Sequence, residues 1–287
     1  MKNIIEKKIN NFIGSKKISH RKILSCSFGI ICEKFTLTNK SSFVAKYYKT
    51  KNYNFNSIIS ETNSLTYLLK KFPELFPLIK YQSEELLITD FIQNNNIRNE
   101  DYQKVLANEV LKLHKIKNDK YGFDFDAQIG GLKQSNEYES NWVNFFRDKR
   151  LNMIFETINR THQMPNLINK KIESLLKSLE DHIPKKPNVS LLHGDLWSGN
   201  ILFNNGKVAG LIDPGIYFGH NEFEISYLMW FKYIDKEFLD YYSNILKIDK
   251  YYYNYEPIYQ LYFSLLNIHL WSRKYLKDTE SLLKKII

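Results

Sequence analysis

Cysteine is nearly absent: the chain has only Cys26 and Cys32 in 287 residues. Two thiols cannot build a disulfide framework, and no His pair stands near them at zinc spacing, which excludes a disulfide-rich scaffold and a structural zinc module. At least one of the two is expected to be a small buried apolar side chain. No apolar run approaches the length that spans a bilayer, so no membrane partner is expected. The opening stretch MKNIIEKKINNFIG is charged throughout and lacks the apolar stretch and cleavage site of a secretory signal, so a cytoplasmic protein is expected. Internal repeats and low-complexity linkers are missing as well.

What is present is a chain able to fold. A hydrophobic fraction of 43% with 15% aromatics supplies a real core. The length suits two lobes or one large domain. The formal charge is +10. The excess is mostly Lys, scattered along the chain rather than clustered, so no nucleic-acid partner is expected. The milder consequence is attraction for anionic substrates such as nucleotides.

The first part reads as strands. LSCSFGIICEKFTLT (24–38) is rich in β-branched and aromatic residues around one Gly, and SFVAKYYK follows a polar turn. Val44, Lys46 and Tyr48 alternate onto one face. NSIISETNSLTYLLKKF is helical, with Ile58, Glu61, Leu65, Leu68 and Leu69 on a common stripe. A lone carboxylate in an apolar stripe is costly unless a cation meets it, and Lys46 on the preceding strand is the expected partner. Pro73 to Pro77 ends that helix. ELLITDFI (85–92) is a further strand, and the polar stretch after it connects to a mostly helical remainder that contains one strand hairpin. The pattern predicts an α+β, bilobal architecture. A small β-rich lobe (1–92) and a larger, mainly helical lobe (93–287) would flank a cleft.

The most informative stretch is SLLHGDLWSGNILF (190–203). Beyond it, Asn205-Gly206 marks a tight hairpin whose strands pair Ile201 with Gly210 and Asn200 with Leu211. Asp213 then returns beside Asn200, so Asp195, Asn200 and Asp213 converge. Two carboxylates and an amide suit a hard cation such as Mg²⁺ and not zinc. With Lys46 and Glu61 upstream, the order matches phosphoryl transfer of the protein-kinase type. There a strand Lys paired to a helix Glu holds nucleotide phosphates, a loop Asp accepts the hydroxyl proton, and an Asn and a later Asp hold the metal.

HGDLWSGN further resembles the signature of the fructosamine kinase (ketosamine-3-kinase) family, relatives of the aminoglycoside phosphotransferases. Gly122-Phe123, Ile129-Gly130, Gln134, Asn136, Trp142, Phe145-Phe146 and Arg150-Leu151 are similar to a second family segment. IDPGIYFGHNEFEISYL and IYQLYFSLLNIHLW are similar to a third and a fourth. The resemblance implies a protein-kinase-like fold and ATP-dependent phosphorylation of a sugar hydroxyl of a free or protein-bound ketosamine. The phosphorylated adduct of the family is labile, so glycation is repaired. It also implies roles: Asp195 as base, Asn200 and Asp213 as Mg²⁺ ligands, and Lys46, Glu61, Gly29 and Asp90 at the ATP. Trp197, His220 and Glu222 are candidates for the acceptor. A monomer is the simplest expectation.

The chain departs from the family in its phosphate loop, Ser27-Phe28-Gly29-Ile30-Ile31-Cys32-Glu33, where a bulky Phe replaces a Gly and is expected to impede close approach to phosphates. Cys32 falls in this loop, where it would make the loop redox-sensitive. His193 is expected to bond backbone near Asp213, and Trp197 either stacks on the sugar or packs. Two rival functions remain. One is a kinase of the same fold acting on an aminoglycoside or amino alcohol. The other is a catalytically impaired kinase-like binding module.

Overall fold

The computed structural model describes residues 2–50, 53–161 and 163–286. The chain opens with α1 (Lys2–Ile13), β1 (Ile18–Ser27), β2 (Ile30–Leu37), β3 (Ser42–Tyr48), α2 (Ser57–Leu69), β4 (Ile79–Gln82) and β5 (Leu86–Asp90). There follow α3 (Tyr102–His114), β6 (Ala127–Ile129), β7 (Leu132–Gln134), α4 (Trp142–Phe146), α5 (Asn152–Thr161) and α6 (Asn166–Ser178). The last part holds β8 (Val189–Leu192), β9 (Ile201–Asn204), β10 (Lys207–Leu211), β11 (Tyr217–His220), α7 (Asn221–Trp230), α8 (Lys236–Ser243), α9 (Tyr252–Leu270) and α10 (Leu276–Ile286).

These elements form two compact units, one of residues 1–99, 127–133 and 199–215, the other of 100–126, 134–198 and 216–287. The expected division at 92/93 assigned 127–133 and 199–215 to the later lobe. Backbone bonds tie the second of these segments to the first unit. Asn95 and Asn96 donate to the Phe203 carbonyl (3.1 and 2.9 Å), and Leu211 donates to Leu75 (2.8 Å).

The first unit is built on an antiparallel sheet ordered β1-β2-β3-β5-β4, which makes β3 the central strand. Ile5, Ile9 and Ile13 recur every four residues along α1, and this stripe packs on Phe35, Leu37, Phe43, Ala45, Leu86 and Ile88. Arg21 of β1 ties the helix to the sheet through Glu6 (2.8 Å) and Glu33 (2.9 Å). The continuous strand expected over 24–38 is in fact two strands. Phe28 (φ 51°) and Gly29 (φ 77°) form a two-residue turn closed by the Ser27–Ile30 pair. Positive φ at both centres gives the turn the twist a hairpin needs.

The second unit is mainly helical and includes the antiparallel β8–β11 pair. Its core centres on Trp142, which is fully buried, stacks near Phe145 and Phe146, and donates Nε1–H to the Tyr259 hydroxyl of α9 (2.7 Å). A π-helical turn, Arg147–Leu151, joins α4 to α5. Arg150 in that turn is wholly buried, 4.1 Å over the Tyr217 ring, and donates to the Ser135 carbonyl and to Asn136 Oδ1. Gly122 (φ 115°) exchanges backbone bonds with Phe218, and a Cβ there would stand 2.4 Å from the Asn136 carbonyl. The segment 121–151, which carried much of the family resemblance, is therefore mostly architecture.

Truncating Ile9 to Ala, in the fully buried middle of the α1 stripe, is expected to cost about 2–5 kcal/mol. Equilibrium denaturation of the two proteins checks this; an unchanged midpoint would mean that α1 adds nothing to the sheet.

Candidate active site

The centre of the first unit's site is set by local rules. Tyr48, the last residue of β3, accepts the Ser57 N–H on its hydroxyl (2.7 Å), and Asn56 caps α2 through Ile59 N–H (3.1 Å). This clamp fixes where α2 starts relative to β3. Lys46 lies two residues before Tyr48 and Glu61 one turn into α2, and the two meet at 2.5 Å. The pairing expected from the apolar stripe is observed. Lys46 Nζ also contacts Asp213 Oδ1, so a single ammonium holds two carboxylates. Burial opposes the Lys46 charge, but Asp213 and then Glu61 hold its pKa well above the ordinary value. Burial pushes the Glu61 carboxyl up to about 7; Lys46 opposes that rise and Asp213 adds to it.

The turn that carries Gly29 is pinned to the end of β3 by Lys49 N–H donating to the Gly29 carbonyl (2.8 Å). Nothing stands within 4 Å of a Cβ built on Gly29, so its positive φ, and not space, calls for glycine. Phe28 takes a left-handed conformation beside it. Cys32 belongs to β2, in register with Lys46, and not to the turn. Burial pushes its thiol up to about 12, which leaves it protonated and poorly reactive at neutral pH, contrary to a redox-sensitive loop. Asp90 uses Oδ1 to accept the Leu78 N–H (2.6 Å), bracing the segment before β4, and it makes no ion pair with the Lys46 group.

Asn205 (φ 50°) and Gly206 (φ 81°) form the expected hairpin turn between β9 and β10. The register is one residue off the simple count. An irregularity between Val208 and Gly210 pairs Ile201 with Leu211 and Leu202 with Gly210. Asn200 accepts the Ile212 N–H on its carbonyl (3.0 Å), and Asp213 follows with φ 59°, a strained value for a residue with a side chain. Asn200 and Asp213 are thus held at one end of the hairpin and offer only hard oxygen donors, which fits Mg²⁺.

In the second unit Asp195 follows His193 and Gly194 after β8. Glu224 of α7 accepts both preceding amides, Gly194 N–H at 2.7 Å and His193 N–H at 3.1 Å. His114 Nε2 lies 3.0 Å from the same carboxylate, and its Nδ1 lies 2.7 Å from the Tyr242 hydroxyl. Burial works against the Glu224 charge, yet His114 and the loop amides hold its carboxyl below the ordinary value. His193 Nδ1 accepts the Asp195 N–H (3.3 Å), so His193 bonds the loop's own backbone. His114, the last residue of α3, is a wholly buried link in this brace. Trp197 is half-buried, its ring 5.9 Å from that of Phe231. His220 and Glu222 are each 2% exposed and face inward. His220 Nδ1 meets the Tyr259 hydroxyl (2.9 Å), and Glu222 accepts Asp249 N–H (2.7 Å) and the Tyr255 hydroxyl. The acceptor role expected for these two gives way to packing against α9.

Residues 1–287 match the model of the fructosamine kinase family. The chain belongs to that family. An Enterococcus faecium protein named "Probable ketoamine kinase" is 33% identical over 186 residues, 63% of this chain and 66% of its own length. A solved structure from Thermobifida fusca, described as a "putative fructosamine-3-kinase", superposes with a TM-score of 0.86 at 18% identity, over 99% of this chain and 98% of that one. An aminoglycoside phosphotransferase in a ternary complex with streptomycin and ATP superposes at 0.67 with 18% identity, covering 100% and 99% of the two chains. These likenesses show the fold, which is α+β and protein-kinase-like as the sequence suggested. Membership of the fructosamine kinase family makes the chain a phosphotransferase.

Two predictions follow from the geometry. Glu61 is ionised above about pH 7 and neutral below it, so its ion pair with Lys46 weakens as pH falls. The dissociation constant for ADP–Mg²⁺ should therefore rise several-fold between about pH 8.5 and 6, and Glu61→Gln should flatten that slope; parallel slopes would refute the assignment. Glu224→Gln keeps the shape but removes the charge that holds two loop amides and His114. It should lower kcat roughly 10- to 100-fold with the ATP KM within about twofold, measured by steady-state kinetics.

Proposed function

We propose that this chain is a ketosamine kinase that transfers the γ-phosphoryl group of ATP to a sugar hydroxyl of a fructosamine- or ribulosamine-type acceptor, with deglycation as the consequence. The observation that carries the reading is the buried Lys46 ammonium held between Glu61 and Asp213. A Lys so placed serves phosphate binding, because it stays charged and is aimed by its partners. Family membership and the name borne by the Enterococcus faecium relative support the acceptor class.

In this reading the acceptor hydroxyl oxygen attacks the γ-phosphorus, the bond to the β-phosphate oxygen breaks, and ADP leaves. Asp195 takes the hydroxyl proton as its oxygen becomes bonded to phosphorus. Lys46 neutralises phosphate oxygens and Glu61 orients Lys46. Gly29, at the tip of the β1–β2 turn, leaves room for phosphate. Asn200 and Asp213 would hold Mg²⁺, which supplies further neutralisation of phosphate charge. Trp197, half-buried near Phe231, offers a ring face to the acceptor sugar. Among the described residues no helix is long and apolar enough to cross a membrane.

The test is ATP consumption with fructosamine, ribulosamine and erythrulosamine acceptors, beside an aminoglycoside and an amino alcohol, with the product detected by mass. Phosphorylation of a ketosamine is expected, and turnover confined to an aminoglycoside or amino alcohol would overturn the acceptor class. Asp195→Asn should retain ADP–Mg²⁺ binding while slowing turnover about 10²- to 10⁴-fold. Unchanged turnover in that variant would remove Asp195 from the chemistry.

A further inference from the structure

Three carriers of the first unit's site are remote from one another in sequence: the β1–β2 turn with Gly29, helix α2 with Glu61, and the segment that follows Asp213. One short hairpin touches all three. We propose that residues 127–133 act as a positioning strut for nucleotide, seating the β1–β2 turn at one end and the Asp213 segment at the other. The proposal rests on the assignment of Lys46 and Asp213 to the nucleotide.

The strut is stiff by construction. Gly130 (φ 53°) and Gly131 (φ 77°) form its turn, and Gln128 Oε1 accepts the Gly131 N–H (3.0 Å), closing the tip with its own side chain. Ala127 and Ile129 are buried, and β6 packs on α2, the helix that carries Glu61. At the tip, a Cβ on Gly131 would stand 3.0 Å from the Phe28 Cβ. Phe28 is the residue that departs from a small phosphate loop, and it holds a left-handed φ of 51° that bulky side chains keep only with outside support. Phe28 is otherwise exposed, and Gly131 is the neighbour that backs onto the root of its side chain.

At the other end, a Cβ on Gly215 would stand 2.4 Å from the Gln128 carbonyl oxygen. Gly215 is not among the residues with positive φ. Its backbone conformation would therefore accept alanine, and the approach of the Gln128 backbone is the reason for glycine. That contact lies two residues after Asp213, whose own φ of 59° is strained. A methyl group there must shift either the hairpin or the segment that carries Asp213.

The experiment is direct titration of the full chain with a fluorescent ADP analogue in the presence of Mg²⁺. Gly215→Ala, with helical content and melting retained, should bind at least tenfold more weakly. In turnover the loss should appear in the ATP KM and leave the acceptor KM as in the wild type. A folded Gly215→Ala protein with wild-type affinity overturns the strut, as do equal rises in both KM values. Where Gly215→Ala does not fold, a double-mutant cycle decides. Gly131→Ala should weaken binding at least threefold more in the wild-type background than on Phe28→Gly, because the added methyl meets Phe28; the φ strain is common to both backgrounds and cancels. Additive effects overturn the proposal. Lys46→Ala separates this from the proposed function. If Lys46→Ala binds as the wild type does, the nucleotide assignment fails. If Lys46→Ala loses binding while the strut variants keep it, only the strut fails.

Discussion

The first unit depends on one buried ammonium that two carboxylates share. Lys46 lies on the central strand, where leaving water is costly for any charge, and it is tolerated because Glu61 and Asp213 both reach it. Removing Glu61, the more buried partner, would leave the ammonium poorly compensated in a largely dry place, a change that typically costs about 3–5 kcal/mol. The surrounding devices serve this one contact. The Tyr48–Ser57 clamp sets the start of α2, the capped helix presents Glu61, and the β9–β10 hairpin delivers Asp213. Each is a local rule of chain geometry, and together they hold three charges in a fixed relation.

The second unit solves a related problem differently. The loop before Asp195 is braced through its backbone, by the Glu224 carboxylate accepting two successive amides. Backbone amides cannot move independently of the chain, so this arrangement fixes the loop more firmly than a side-chain contact would. The buried carboxylate needs a further hydrogen-bond partner, and His114 supplies it from α3, itself steadied by Tyr242 from α8. Tyr242 also accepts a bond from Asn221 of α7 (3.1 Å), so three helices, α3, α7 and α8, converge on one loop. A carboxylate held below its ordinary value and facing amides is a rigid acceptor at neutral pH, which suits a part that must not move.

Much of this was legible in the sequence because it rests on short-range periodicity. The apolar stripe of α2 with Glu61 in it, the alternation that faces Lys46 the same way, and the Asn205-Gly206 turn are all local signals, and the structure honours each. The one-residue register error in β9–β10 arose because a bulge near Ala209 leaves no mark in composition. The non-local features were out of reach for a different reason. His114 and Glu224 are separated by 110 positions, and nothing in either neighbourhood announces the other. His220 and Glu222 looked available because they follow the site motif; the tyrosines of α9 that bury them arrive from a segment whose amphipathic pattern is weak. The bond from Leu78 N–H to Asp90 was likewise illegible, since Leu78 lies across a strand edge that the sequence marks only by a proline. The segment 121–151 was read as part of the resemblance, yet its side chains mostly build the Trp142 and Arg150 core. Resemblance of that kind reports the scaffold that holds a site as much as the site itself.

The charge count of the Lys46 cluster explains why these requirements belong together. One ammonium and two carboxylates leave a net negative charge, buried on the Glu61 side and open to water on the Asp213 side, and a polyphosphate brought there would add more. Such a cluster relieves itself by taking up either a proton or a cation. The upward push on Glu61 is the proton route, driven by burial and opposed by Lys46. The hard oxygen donors of Asn200 and Asp213 offer the cation route. The two routes compete, because protonating Glu61 removes the negative charge that makes a divalent ion welcome and frees Lys46 to turn wholly toward Asp213. If Lys46 is the phosphate partner proposed above, such a cluster would work best where Glu61 is ionised, and burial, which raises the Glu61 carboxyl, would set the acid limit.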